Sequence, residues 1–275
     1  MQSVIIKPKN EILRKYIQYF LFFNKCDNHF LNYTTFPNSN LCLAIYKKNK
    51  ITYINKSDIN LCNISEGHNY TSYLYGFHKM PFNVQIDSYL DQICIIFQSS
   101  ALRAFTKESY ENLMKSDAVF EEIFSQDKSI LNKIFDNDNF NERADELEIL
   151  LLKNLKNEIP ERMKQAMLMI NNNPILTLDT LPKDLKISET TLFRLFKDNM
   201  GQNPKSYLKT LRFRNVLQDL LTPNHSLTAV AYQNQYYDQA HFINDLKKFT
   251  GLSPKHLKNE ISVNQKDLTW IYNKN

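Results

Sequence analysis

Glycine is scarce, with four in 275 residues. Turns that need a left-handed backbone must therefore be built from other residues. Asparagine, present 32 times, is the expected substitute, because it tolerates that geometry better than most side chains. The four cysteines, Cys26, Cys42, Cys62 and Cys94, stand apart with no C-x-x-C pair. That spacing argues against a zinc site or a disulfide framework, and the apolar, strand-like settings of three of them suit buried free thiols. No apolar run approaches the roughly 20 residues that a membrane helix needs. The opening Met1-Gln2-Ser3-Val4-Ile5-Ile6-Lys7 lacks the charged start, apolar stretch and small-residue cleavage site of a signal peptide. No membrane partner is expected, and the default is a soluble cytoplasmic protein.

What is present is enough for one or two domains with a real core, at 43% hydrophobic residues. The net charge of +5 is unevenly placed. Residues 160–275 hold 16 Lys and Arg against 10 Asp and Glu, whereas residues 1–159 hold 18 against 19. The positive surplus lies wholly in the second half, as a polyanion partner would require, although a solvated basic face reads the same way.

That half contains a pattern used twice. Leu192, Phe196, Lys197, Gly201, Pro204 and Lys205 recur 50 residues later as Phe242, Leu246, Lys247, Gly251, Pro254 and Lys255. Each copy reads as a helix, about 189–199 and 239–249. Ser188 and Asp238 are the N-caps, a glycine stops each helix, and a proline starts the next. Short amphipathic segments precede them, at 178–185 and 227–234. Helix, tight turn and capped second helix is the helix-turn-helix plan. The connection 205–221 has no breaker and carries an apolar stripe of Tyr207, Leu208, Leu211, Val216, Leu217 and Leu220. As a helix it spans about 25 Å, a strut that could hold two recognition helices in successive major grooves, about 34 Å apart.

The run from Ser188 through Leu192, Arg194, Phe196-Lys197, Gly201, Pro204-Lys205 and Tyr207-Leu208 resembles the AraC/XylS family of bacterial transcription regulators. So do Tyr236-Tyr237-Asp238-Gln239-Ala240-His241-Phe242 and Thr250-Gly251-Leu252-Ser253-Pro254. The likeness covers about residues 160–260. It implies an α+β protein with a small cupin-like β-barrel at the front (about 1–100) and helices at about 101–157. An all-α DNA-binding domain of two helix-turn-helix modules joined by a linker helix would follow at 160–260, and a tail at 261–275. The residues of the front half match the barrel by no motif. Their short β-branched and aromatic runs (19–23, 40–46, 51–54, 70–77, 92–97) suggest a sandwich or barrel. Residues 101–135 read as helical, and 142–157 as a helix capped by Asn141, with Leu147, Leu150, Leu151 and Leu155 in a stripe. In the family such a helix often carries a homodimer contact; packing on its own barrel is the alternative. Glu158-Ile159-Pro160 reads as the domain boundary, and Asn171 to Pro174 as a turn.

Double-stranded DNA is the expected partner, and the resemblance adds RNA polymerase and a small-molecule effector of the front half as candidates. Carried over position by position, Thr190, Phe193 and Arg194 in the first copy, and Gln239, Ala240, Ile243 and Asn244 in the second, would face bases. Arg suits guanine O6 and N7, and Gln or Asn suits adenine N6 and N7. Arg194 could instead hold a phosphate or a surface ion pair, and Phe193 could belong to the core. Lys197, Lys205, Lys209, Arg212, Arg214, Lys247, Lys248 and Lys255 are candidate phosphate contacts, which set register rather than sequence. Two departures from the family stand out. Pro182 replaces a small alanine, and Gln235 replaces a turn glycine. No catalytic, metal or cofactor site is expected. The main alternative, a cupin-type metalloenzyme fused to the DNA-binding half, needs clustered ligands, and His29, His68 and His78 form no H-x-H…E…H grouping. A methyl-accepting repair protein would need an activated, metal-held cysteine. A front half that only pairs with another protein is not separable from one that binds a ligand, except by whether the barrel holds a pocket or is filled.

Overall fold

A computed structural model of the chain describes residues 2–56, 59–124, 129–173, 178–222, 226–265 and 268–273. The dense run at the start of the chain becomes strand β2 (Ile17–Lys25), which is buried on both faces. Phe20 and Phe22 pack into one core, and Tyr19, Leu21 and Phe23 into another. Such a strand has no polar face to alternate, so it reads as a continuous apolar run.

β2 lies in a five-stranded sheet with β1 (Gln2–Ile6), β9 (Leu90–Phe97), β4 (Leu41–Tyr46) and β7 (Thr71–Tyr75), in the order β1-β2-β9-β4-β7. A second sheet faces it. It contains β3 (Leu31–Thr35), β5 (Asn49–Asn55), β6 (Asn60–Glu66) and β8 (Phe82–Ile86), together with β10 (Val263–Gln265) and β11 (Leu268–Tyr272), in the order β10-β11-β3-β8-β6-β5. The two sheets enclose the second core but remain two layers with free ends rather than one closed barrel. The segment expected as a tail is thus part of the front half: Trp270, Ile271 and Tyr272 pair with Thr35, Thr34 and Tyr33.

The outer face of the first sheet is covered by short helices: α1 (Tyr110–Leu113), α2 (Val119–Ile123), α3 (Ser129–Phe135) and α4 (Phe140–Lys153). The cap of α4 is Asn139, two residues earlier than expected, accepting from Asn141 N. Leu147, Leu150 and Leu151 point into the front core. Arg143, buried, donates to both oxygens of Asp91 on β9 at 2.6 and 3.1 Å. The Glu148 carboxylate accepts from Lys9 N and Asn10 N. The stripe is therefore used on the helix's own sheet, and Ile149 and Leu152 are its exposed apolar residues.

The second half is helical: α5 (Glu161–Asn172), α6 (Leu181–Asp184), α7 (Glu189–Met200), α8 (Pro204–Leu221), α9 (Leu227–Gln233), α10 (Gln239–Thr250) and α11 (Pro254–Glu260). The first short segment is one turn, shorter than the expected 178–185, and Pro174 of the expected turn lies outside the described residues. The repeat makes two separate cores. Leu192, Phe196 and Tyr207 belong to the first, and Phe213, Val216, Leu217, Leu220, Phe242 and Leu246 to the second. Helix α8 serves both, its start in one and its end in the other.

The left-handed positions are not taken by asparagine. Among the described non-glycine residues they are Phe77, Ser100, Lys186 and Gln235. Asparagines serve as caps instead, Asn203 accepting from Ser206 N. Gly201 and Gly251 end α7 and α10 at φ 75° and 72°. A Cβ at Gly201 would lie 2.7 Å from Tyr110 Cγ and 2.8 Å from Phe77 Cε2, whereas at Gly251 the nearest atom, Pro81 Cγ, is 3.9 Å away. Gly251→Ala should therefore cost only the left-handed penalty, about 1 kcal/mol. Gly201→Ala adds a clash and should cost roughly 2–4 kcal/mol. Denaturant unfolding of the two variants checks this, and equal losses would mean that the rings over Gly201 give way freely.

Candidate nucleic-acid interface

Both modules close their turns in the same way. In the first, Lys186 N donates to Lys183 O and Ile187 N to Pro182 O; in the second, Gln235 N donates to Tyr232 O and Tyr236 N to Ala231 O. The latter bond of each pair spans five residues, which places Lys186 and Gln235 in left-handed geometry, at φ 52° and 57°. Gln235 thus holds the glycine-like conformation without being glycine, at about 1 kcal/mol. Pro182 sits in the first turn of α6, where its missing N–H leaves no intrahelical bond unmade.

The recognition helices start as the caps dictate. Ser188 Oγ accepts from Thr191 N at 3.1 Å, and Asp238 Oδ1 from His241 N at 2.7 Å. Leu192 and Phe196 turn inward; Thr190, Phe193 and Arg194 are exposed, Phe193 at 49%, clear of the core. On α10, Gln239, Ala240 and Asn244 are exposed. Ile243 is half-buried against the second core, less outward than the sequence implied. Lys197, Lys205, Lys247, Lys248 and Lys255 are exposed, and Arg212 and Arg214 half-buried on α8. The Arg212 guanidinium lies 5.7 Å from the centre of the Tyr236 ring.

Lys209, expected among the phosphate contacts, has a partner within the fold. Its Nζ lies 2.8 Å from Oδ1 of Asp245, a buried carboxylate on α10. Burial, then the Asp245 charge, holds the Tyr236 phenol above its usual range. Lys209, Asp245, Tyr236 and Arg212 thus clamp the linker helix to the second recognition helix. No signal in the sequence pairs Lys209 with a residue 36 positions away.

The front half touches α7 at its far end. Arg103 Nε donates to Asp198 O at 2.6 Å, and Tyr110 Oη to Asn199 O at 2.7 Å. Tyr207 Oη on α8 meets Ser99 Oγ at 3.0 Å. The N-terminal turns of α7, where base-facing residues would sit, stay in solvent.

In the front half, His78 is half-buried and stacked on Phe82, with ring centres 4.6 Å apart. Burial pulls its pKa down to about 4, so it is neutral. The Cys62 thiol is pushed up to about 11 by burial and stays protonated, unlike an activated methyl acceptor. Among the described residues no group of three or more His, Cys, Asp or Glu could hold a metal.

A profile described as "Helix-turn-helix domain" matches residues 181–260. The chain is 27% identical over 110 residues to the lactose operon transcription activator of Staphylococcus xylosus, covering 39% of each. It is 30% identical over 82 residues to the transcriptional regulator MxiE of Shigella flexneri, covering 30% of this chain and 39% of that one. A solved structure of ToxT from Vibrio cholerae aligns over 89% of this chain and 97% of its own, with 10% identity and a TM-score of 0.44. The chain spans about two fifths of the length of the curated relatives it matches. The class is that of the paired helix-turn-helix domain. Over residues 181–260 the chain is similar to the helix-turn-helix domains of these transcription regulators.

If Lys209 serves the fold, Lys209→Ala should lower stability by roughly 1–3 kcal/mol, because buried Asp245 loses its partner. It should leave the salt dependence of any DNA binding unchanged. A stability loss under 0.5 kcal/mol (roughly the level of an ordinary surface change) together with a shallower salt slope would return Lys209 to the phosphate contacts.

Proposed function

We propose that this protein is a sequence-specific DNA-binding transcription regulator, controlled by its front half. Its helices α7 and α10 enter adjacent major grooves. The observation that carries this reading is the duplicated, capped helix with exposed polar N-terminal turns, held at its far end. Thr190, Phe193 and Arg194 read one half-site, and Gln239, Ala240 and Asn244 the other. Ile243 contributes less, being half-buried. Lys197, Lys205, Lys247, Lys248 and Lys255, with Arg212 and Arg214, hold phosphates. The surplus of positive charge in residues 160–275 supports this.

The domain division follows the same reading: 1–158 senses, 160–260 binds DNA, and the last strand belongs structurally with the sensor. An effector is favoured over a purely protein-pairing front half because a cavity lined by tyrosine and phenylalanine lies between the sheets. A homodimer through 142–157 would have to use Ile149 and Leu152, the apolar residues of α4 left outside. RNA polymerase would be a further partner only if the regulation is by activation. No enzymatic step is proposed.

Selection of bound sequences from random duplex DNA tests the proposal. Arg194→Ala should relax preference at one base position, losing about 1–3 kcal/mol on the preferred base. Lys205→Ala should weaken all sequences alike and reduce the salt slope by about one. Uniform loss with Arg194→Ala would make it a phosphate contact, and no enriched sequence at all would defeat the reading.

A further inference from the structure

The last strand, β11, has different neighbours on its two faces. Trp270 is buried between the sheets, its ring centre 5.9 Å from that of Phe23 and 6.0 Å from that of Tyr33. Ile271 belongs instead to the core of the second helix-turn-helix module, where Phe36 joins it from the loop after β3. Phe36 and Trp270 also both line a cavity of about 140 Å³ between the sheets. One wall of that cavity is therefore shared with the module that carries α10.

The chemistry of the cavity is specific. Its volume is close to the roughly 150 Å³ that admits a benzene ring. Among the described residues no Asp, Glu, Lys or Arg lines it. His78 on its wall is neutral. A charged ligand would lose its hydration there and gain no counter-charge. The Tyr46 and Tyr75 hydroxyls meet each other at 3.2 Å, and Cys62 Sγ lies 3.6 Å from Tyr75 Oη. Among the described residues, Trp270 Nε1, a donor, and Gln92 Oε1, an acceptor, are buried on this lining without a hydrogen-bond partner. These residues are 3% and 5% exposed. Unpaired buried groups of opposite kind in one cavity ask for a ligand that supplies both complements.

We propose that this cavity binds a small uncharged ring compound, which accepts a hydrogen bond from Trp270 Nε1 and donates one to Gln92 Oε1. Through Phe36 and Ile271, its binding alters how firmly the second module is held. The transmission half rests on the regulator reading above; the binding half stands without it. An aromatic primary carboxamide is the simplest chemistry that carries both groups.

Trp270 is the single tryptophan of the chain, so its fluorescence reports this site alone. Benzamide titrated into the full-length protein should change that fluorescence saturably, with a dissociation constant of roughly 0.1–1 mM. Benzoate, the same shape with a charge, should bind at least about tenfold more weakly. Gln92→Met should weaken benzamide by about five- to tenfold while leaving toluene unaffected. Trp270→Phe, followed by the shift in melting temperature, should do the same. No saturation, or equal binding of benzamide and benzoate, overturns the binding half.

For transmission, saturating benzamide should change affinity for the selected duplex by at least about threefold. Ile271→Ala should abolish that change while keeping benzamide affinity within about twofold; Phe36→Leu is the second variant should Ile271→Ala not fold. Unchanged DNA affinity in the unaltered protein overturns transmission. Absence of any sequence-specific DNA binding sinks the regulator reading instead and leaves the fluorescence result standing.

Discussion

The arrangement of the molecule depends on a missing side chain at the end of the first recognition helix. Gly201 lets the backbone turn left-handed, and also lets the rings of Tyr110 and Phe77 close over it. Once they are there, the last carbonyls of α7 find donors in the front half, from Arg103 to Asp198 and from Tyr110 to Asn199. Helix C-termini leave such carbonyls unpaired, and a guanidinium beside them suits the helix dipole. The helix is thus gripped at the end remote from the residues proposed to face bases. Exposure of Thr190 and Arg194 and fixation of the helix follow from one contact.

The second module is held by other means. Its contacts with the rest of the chain are apolar, through Phe36 and Ile271, and its recognition helix is tied to α8 by Lys209 and Asp245. The loop 76–81 connects the two regimes. Gly76 and His78 line the cavity, Phe77 covers Gly201, and Pro81 is the atom group nearest Gly251. A change at the cavity wall therefore has a short path to the ends of both recognition helices. Because the two modules have separate cores, such a change can act on one module without unfolding the other.

Much of the second half was legible because its signals are local. A cap, a 3.6-residue apolar period, a glycine and a proline recur in order, and each is a short-range constraint on the backbone. Phe213 escaped notice in the linker stripe although it is buried and stacked on Phe249 at 4.5 Å. The stripe changes partner midway along α8, so one regular spacing does not describe it. In the front half, β8 carries plain alternation, with Phe82, Val84 and Ile86 buried, yet at five residues it gives a weak signal on its own. The strand β11 was read as a tail because nothing within it names its partner 237 positions earlier. Long-range pairing leaves little local trace, and the Lys209–Asp245 pair was hidden for the same reason. The asparagine surplus misled in one respect: the tight turns of both modules place lysine and glutamine in left-handed geometry, because the five-residue bond that closes each turn outweighs the local preference.

The charges complete the logic. Ion pairs such as Arg143 to Asp91 in front and Lys209 to Asp245 behind join members of the same half, while the charge of Lys197 reaches Glu111 across the two halves. The contacts between halves are made by rings, carbonyls and a hydroxyl pair. Surface ion pairs weaken as salt rises, but ring packing and hydrogen bonds to carbonyls do so far less. Lys197, one of the proposed phosphate contacts, is shared with the field of a front-half carboxylate. Under the proposed reading, ionic strength would tune the grip on DNA more than the ring packing over Gly201. Under the regulator reading proposed above, control of that hold would act through packing at the cavity wall, where an uncharged group fits and a counter-ion does not.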